Sequence, residues 1–202
     1  MRRFATLYQE LDARTSTGDK VAALVRYFGE APAADAAWAV YFLAGGKPRQ
    51  VVPTGVLRTF AVEAAGIDDW LFEACYQAVG DLAETITLVL APAHAISDDG
   101  LAHWVEERLL TLRGLATEEQ IARLRQAFDE LDGAGRFLLV KLIGGGFRVG
   151  VSKLLVQRAL AEQAGIDAKL VAQRMMGNTA VTRATDARRM ASIMISSSIS
   201  IS

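Results

Sequence analysis

Apolar residues recur at helical spacing along almost the whole chain. They stand three or four positions apart in stripes within residues 4–11, 21–28 and 38–42, as they do on the buried face of an α-helix. Alternation of apolar and polar residues, the sign of a half-buried strand, is scarce, and the chain holds only 4 prolines. The pattern therefore predicts an all-α fold of about ten short helices.

Local signals refine several of these helices. Thr117–Gln120 matches a capping box, in which the first and fourth residues satisfy each other's backbone amides. Asp81–Leu90 has helical spacing, although Thr85–Val89 could also pass for a strand. Arg136–Ile143 is apolar nearly all round, which predicts a central buried helix. A helix that starts at Asp68 or Asp69 is expected to turn these residues inward: Trp70, Leu71, Ala74 and Cys75.

The organisation of the chain changes at two places. The irregular loop over residues 91–100 is the best candidate for a boundary between two subdomains. After residue 177 the periodicity stops, and the chain ends in a low-complexity run of Ile and Ser. We therefore expect a helical domain over residues 1–177, in two subdomains, followed by an unstructured or non-native tail over residues 178–202.

Composition narrows the class of protein. Of 202 residues, 51% are hydrophobic, which is enough to bury a core and argues against a disordered chain. One Cys cannot form an internal disulfide, and with two His it cannot build a structural zinc site. No apolar run reaches the roughly 18 residues that cross a membrane. The basic start meets Glu10 and Asp12 before any hydrophobic segment, unlike a secretory signal, so we expect an intracellular protein.

The charges are segregated although they nearly cancel. The 22 Lys and Arg stand against 23 Asp and Glu, a formal net charge of −1. Residues 81–132 hold eleven acids and four Arg, whereas residues 36–62 and 133–160 hold three and five basic residues and no acid. Such blocks can present a positive face to a polyanion. An ordinary solvated surface is the alternative interpretation.

The glycine-rich segment 144–150 is a candidate for phosphate binding. It is not a dinucleotide fingerprint, because the third glycine would fall at Val149 and no strand precedes it. It is not a P-loop either, because no Lys-Ser or Lys-Thr follows its last glycine. What remains is a turn with Arg148 inside it, Ser152 as the next helix cap and Lys153 in the first turn, a generic site for backbone phosphates. A tight turn whose glycines only permit positive φ is the alternative.

Two other places couple a helix terminus to a cation. The run Thr15-Ser16-Thr17 precedes a helix that carries Lys20, and the run from Gly45 to Arg49 joins two helices. Each alone is most simply a helix cap or a C-terminal turn. Three such sites in one chain favour a phosphate-binding surface more than one would.

Catalytic patterns are weak. His103 and Glu106 have the letters of a deaminase H-x-E motif, but the Cys pair that would complete its zinc site is absent. Cys75 falls in an apolar stripe, which favours a buried structural role over that of a nucleophile. We find no set of nucleophile, base and orienting group.

Four segments of the chain share a pattern with one known family. They are Phe4–Lys20, Ala37–Arg49, Trp70–Thr85 and Phe137–Ala161, and the last is the most specific. In order they cover about residues 4–177. Together they resemble the N-terminal DNA-binding domain of ATP-dependent DNA ligases, especially the bacterial enzymes that carry this leading domain.

The resemblance implies a helical domain that lies along the minor groove of nicked duplex DNA and contacts phosphates without reading bases. It implies a role in nick sealing during replication, repair and recombination, at the nucleoid, with catalytic ligase domains normally in the same chain and with no membrane or small-molecule ligand. The residues expected to touch the DNA backbone are Thr15, Ser16, Thr17, Lys20, Gly46, Lys47, Arg49, Gly146, Arg148, Gly150, Ser152 and Lys153.

One departure from the family concerns catalysis. The family's reaction uses the Lys of a K-x-D-G motif, and none of the five lysines here is followed by that pattern. We therefore expect ATP and Mg²⁺ to act only in a catalytic domain, no cofactor in this chain, and no nick sealing by the chain alone. The alternative function is a helical protein-interaction module that uses the acidic face over residues 81–132.

Overall fold

The chain folds into helices throughout the part that can be described. The computed structural model describes residues 1–48, 51–144, 147 and 149–176. Over these residues eleven α-helices and no strand form, which confirms the all-α class. The helices are α1 (Arg2–Ala13), α2 (Thr17–Glu30), α3 (Ala33–Leu43), α4 (Thr54–Ala65), α5 (Asp69–Val79), α6 (Leu82–Val89), α7 (Leu101–His103), α8 (Thr117–Asp129), α9 (Gly133–Gly144), α10 (Lys153–Ala164) and α11 (Ala168–Met176). A π-helical segment (Trp104–Leu109) and a 3₁₀ turn (Leu110–Leu112) continue α7, and the predicted tail over 178–202 lies outside the described residues.

The helices form two compact units. Among the described residues, the terminal unit comprises 3–47, 100–102, 147 and 149–176, and the central unit comprises 1–2, 48, 51–99 and 103–144. After the loop 91–100, where the sequence predicts a boundary, only residues 100–102 belong to the terminal unit, and the chain returns to the central unit at residue 103. It also crosses between the units after residues 47 and 146, so each unit is built from separate stretches of sequence.

The terminal unit is organised around α10, which packs against α2, α3 and α11. The stripe predicted for α1 is buried, with Leu11 fully enclosed. Phe147 lies among the aromatic side chains of this unit, stacked on Phe4 and Phe42. The terminal unit therefore has its own apolar core, which fixes α10 and the residues just before it.

The central unit has a second core. There α6 packs against α9 and α4 packs against α8, where the rings of Phe60 and Phe128 lie 4.8 Å apart. Most of α9 is buried, as its continuous apolar run predicts. Trp104 and Val105, at the start of the π-helical segment, are fully buried.

The segment that could pass for a strand is the helix α6. Asp81 precedes it, and its carboxylate accepts a hydrogen bond from the Glu84 amide at 3.0 Å. The hydroxyls of Thr85 and Thr87 donate to the carbonyls four residues earlier, at 2.7 and 2.8 Å. Both hydroxyls are therefore satisfied by backbone carbonyls of the helix itself.

The prediction of a capping box at Thr117–Gln120 is wrong. Helix α8 does begin at Thr117, but Ala116 is its N-cap and no side chain caps it. Gln120 is buried, and its amide nitrogen donates to the carbonyls of Val51 (3.3 Å) and Leu112 (2.9 Å). Because the Gln120 amide is bound to these two carbonyls, its side chain does not reach back to the start of α8.

The predicted inner face of α5 is also wrong. Phe72 is the buried residue of this helix, whereas Trp70 is 69% exposed and Leu71 is also exposed. Residues two positions apart point about 200° apart around a helix, so Trp70 and Phe72 cannot share a face. Ala74 is exposed as well, and Cys75 is half-buried rather than enclosed.

Candidate nucleic-acid interface

The start of α2 has the geometry of an open helix N-terminus. Ser16 is the N-cap, and its hydroxyl accepts a hydrogen bond from the Asp19 amide at 3.4 Å. Thr15, Ser16 and Thr17 are all exposed. The first amides of a helix have no partner within it, so those at the start of α2 can meet an anion.

The start of α10 has the same construction. Ser152 is the N-cap, its hydroxyl accepts from the Leu155 amide at 3.3 Å, and it is exposed. Lys153 is exposed in the first turn and makes no ion pair with any residue that the structure describes. Leu154 beside it is 74% exposed. A hydroxyl, free amides and a cation therefore meet at one solvent-facing helix end.

Lys20 brings these two helix ends together. It lies in the first turn of α2 and is only 8% exposed. Its ammonium group donates to the carbonyl of Val149 at 2.6 Å and to that of Gly150 at 3.4 Å, immediately before α10. Because α2 and α10 also pack against each other, their N-termini lie at the same end of the terminal unit. The sequence signals nothing of this contact, since its partners are 129 residues apart.

The third predicted site is the turn after α3. The Gly46 amide donates to the carbonyl of Tyr41 at 2.8 Å, and a Cβ at Gly46 would come within 2.5 Å of that oxygen. Lys47 is exposed. Phe147 connects this turn to the approach of α10, because its ring stacks 5.5 Å from Phe42 near the end of α3. Of the other predicted contacts, Arg49, Gly146 and Arg148 lie outside the described residues.

The two units carry opposite charge. Over the described residues, the terminal unit has 9 Lys and Arg against 7 Asp and Glu, and the central unit has 8 against 15. All described candidate residues belong to the terminal, net positive unit. The central unit holds every acid of residues 81–132, whereas the acid-free segments 36–62 and 133–160 are divided between the two units.

Several cations of the acid-free segments are engaged inside the central unit. Arg58 pairs with Glu73 at 2.6 Å, and Lys141 pairs with Asp81. Arg136 is buried and donates to the carbonyls of Phe128 (2.7 Å) and Ala91 (2.6 Å). Burial lowers the pKa of the Arg136 guanidinium. These three cations support the fold and are not available as a free positive face.

The acidic face predicted as the alternative is also partly paired within its own unit. Glu130 binds Arg108 at 2.7 Å, and Glu119 binds Arg123 at 2.8 Å. His94 lies 2.5 Å from Asp129, and this hydrogen bond is the main reason why the pKa of Asp129 is below its usual value. These pairs reduce the negative charge that residues 81–132 can offer to a basic partner.

A comparison with protein-family models identifies the chain. The model described as "DNA ligase N terminus" matches residues 1–161. The chain belongs to this family. The matched part of this DNA ligase N-terminal chain includes α1 through α9 and nearly all of α10, so every described candidate residue falls within it. No curated protein gives a significant match.

Among the described residues, no group of three or more His, Cys, Asp and Glu side chains is placed to hold a metal ion. No helix in the described ranges is both long and apolar enough to span a bilayer.

Proposed function

We propose that the chain binds duplex DNA without regard to sequence, by holding backbone phosphates at the N-termini of α2 and α10. One observation carries the proposal: Lys20 holds these two capped helix ends at the same end of the net positive unit. Each end offers free amides and the positive pole of a helix dipole, both of which favour a phosphate. Family membership supports nick sealing by an ATP-dependent ligase as the process that this binding serves.

The chemistry of the site favours phosphates over bases. Its exposed groups are backbone amides, short hydroxyl side chains and lysines, which position a duplex but carry no base code. The proposed contacts among the described residues are Thr15, Ser16, Thr17, Gly46, Lys47, Gly150, Ser152 and Lys153. From sequence, Arg49, Gly146 and Arg148 extend the same set. Double-stranded DNA, nicked or intact, is thus the proposed partner, in the cytoplasm at the nucleoid.

We propose that the chain takes no part in the chemical step itself. None of its five lysines stands in a K-x-D-G pattern, so ATP and Mg²⁺ are assigned to a catalytic ligase domain. Incubation with labelled ATP and Mg²⁺, followed by denaturing separation, should leave no label on the chain. A covalent adenylate would contradict this assignment.

Fluorescence anisotropy with a labelled duplex tests the binding. Lys153→Met should weaken binding to all sequences alike and reduce the salt slope by about 0.9, the value for one lost phosphate contact. Lys169→Met is the matched control, because Lys169 is an exposed lysine of the same unit near the start of α11. The twelve residues of α10, about 18 Å of helix, lie between Lys153 and Lys169.

The control should change the affinity less than twofold. Equal losses from both variants would mean that only the net charge matters and that the helix end is not the site. Absence of binding by the unaltered chain at low salt would overturn the proposed function.

A further inference from the structure

Lys20 has surroundings unlike those of a surface lysine. Its side chain is buried and forms no ion pair with any described carboxylate. Burial of a charged group is costly unless hydrogen bonds replace the lost water. The carbonyls of Val149 and Gly150 supply these bonds. The ammonium group therefore hydrogen-bonds to the backbone of one short segment, the residues just before α10.

The same segment is anchored by Phe147. Its ring stacks 5.8 Å from Phe4 and 5.5 Å from Phe42, and it meets the edge of Tyr8 at 5.4 Å. Val149 is also buried. Hydrophobic contacts thus hold one side of the segment, while the ammonium of Lys20 holds its carbonyl groups.

Gly150 fits the Lys20 contact closely. Its φ of +61° lies in the left-handed region, where a side chain is unfavourable. A Cβ at this position would also lie 2.6 Å from the Lys20 nitrogen, well inside normal contact distance. The turn therefore requires a glycine, and a Cβ there would also displace the end of the Lys20 side chain.

We infer that Lys20 is a positioning residue, which fixes the segment before α10 so that Ser152 and Lys153 meet the DNA in a defined place. This inference rests on the proposed function for its consequence, but its structural part does not depend on DNA. It replaces the sequence-based expectation that Lys20 itself neutralises a phosphate.

Hydrogen exchange measured by mass spectrometry tests the structural part without DNA. In Lys20→Met, the amides of residues 149–155 should exchange at least tenfold faster, while those of the central unit keep their rates. Lys169→Met is the control and should leave the segment unchanged. Gly150→Ala disturbs the same contact by placing a Cβ against the Lys20 nitrogen. It is the alternative variant if Lys20→Met does not fold. Unchanged exchange in a folded Lys20→Met would overturn the inference.

A double-mutant cycle on DNA affinity tests the consequence. If Lys20 positions the start of α10, the loss caused by Lys153→Met should shrink to less than twofold in the Lys20→Met background. If Lys20 is itself a phosphate ligand, the two losses are additive, and Lys20→Met alone lowers the salt slope by about 0.9. Additive losses would therefore overturn the inference. If the unaltered chain binds no DNA, the proposed function fails. Hydrogen exchange then still tests whether Lys20 fixes the segment before α10.

Discussion

Buried polar side chains of this protein are engaged by backbone carbonyls as well as by opposite charges. Lys20, Gln120 and Arg136 each donate to two carbonyl oxygens, at least one of which is 45 or more residues away in the sequence. Carbonyls outside regular helices need such donors when they are buried, because an unpaired polar group costs about 1–3 kcal/mol. These three residues therefore fix the irregular segments between the helices.

Gln120 allows this cost to be measured. Gln120→Leu should lower the free energy of unfolding by about 1–3 kcal/mol, because the carbonyls of Val51 and Leu112 lose their donor. Gln126→Leu, an exposed position of the same helix, should change it by less than about 0.5 kcal/mol. Urea denaturation followed by circular dichroism gives both values. Equal effects at the two positions would show that the Gln120 bonds contribute nothing.

The ion pair of Asp81 and Lys141 predicts a pH dependence. Burial tends to raise the pKa of Asp81, but hydrogen bonds from Lys141 and the Glu84 amide outweigh it, so the pKa is lowered. A lowered pKa means that the charged form stabilises the fold above the unfolded pKa, about 3.9. This stabilisation disappears as the pH falls through the lower pKa of the folded state.

Asp81→Asn should therefore be less stable than the unaltered chain at pH 7, and the difference should narrow below about pH 4. Urea midpoints at pH 7, 5 and 3.5 measure it. Asp98→Asn removes an exposed pair with Arg2 and should have little effect at any of these values. A difference for Asp81→Asn that stays constant with pH would refute the role of its charge.

At the scale of helices, the sequence predicts position better than orientation. The start of α10 was predictable because Ser152 is a favourable N-cap residue directly before it. The face of α5 was not, because Trp70, Leu71 and Phe72 are all apolar and only packing against another helix decides between them. The contact of Lys20 with Val149 had no local signal at all.

Substitutions of Ser152, the N-cap of α10, can distinguish an effect on helix stability from an effect on DNA binding. Ser152→Asp keeps an N-cap acceptor and should leave the free energy of unfolding within about 0.5 kcal/mol, whereas Ser152→Ala should lower it by about 0.5–2 kcal/mol. The aspartate also places a negative charge where we propose a phosphate, so it should weaken DNA binding at least tenfold. Thermal unfolding and anisotropy on the same samples distinguish the two effects. A Ser152→Asp variant that binds DNA normally would exclude this helix end from the interface.

At the scale of the molecule, the division of charge between units is more informative than the sum. A formal net charge of −1 conceals, over the described residues, a terminal unit with two more basic than acidic residues and a central unit with seven more acidic than basic ones. The sequence shows the charge blocks, but the structure determines which cations are already paired. Arg58, Arg136 and Lys141 are engaged by carboxylates or carbonyls within the central unit, whereas Lys47 and Lys153 are exposed and stay in the candidate interface.

The salt dependence of DNA binding tests this division. With about three to six phosphates neutralised, the logarithm of the affinity should fall with that of the salt concentration at a slope of about −3 to −5. The slope should be the same for duplexes of different sequence, and stronger binding to a nicked duplex would support a role in sealing. Glu118→Gln with Glu119→Gln, in the central unit, should alter neither the slope nor the affinity by more than about twofold, since both residues lie outside the proposed interface. A different result would favour the acidic face as the functional surface: the unaltered chain binds no DNA but binds a basic protein partner, and the double variant no longer binds that partner.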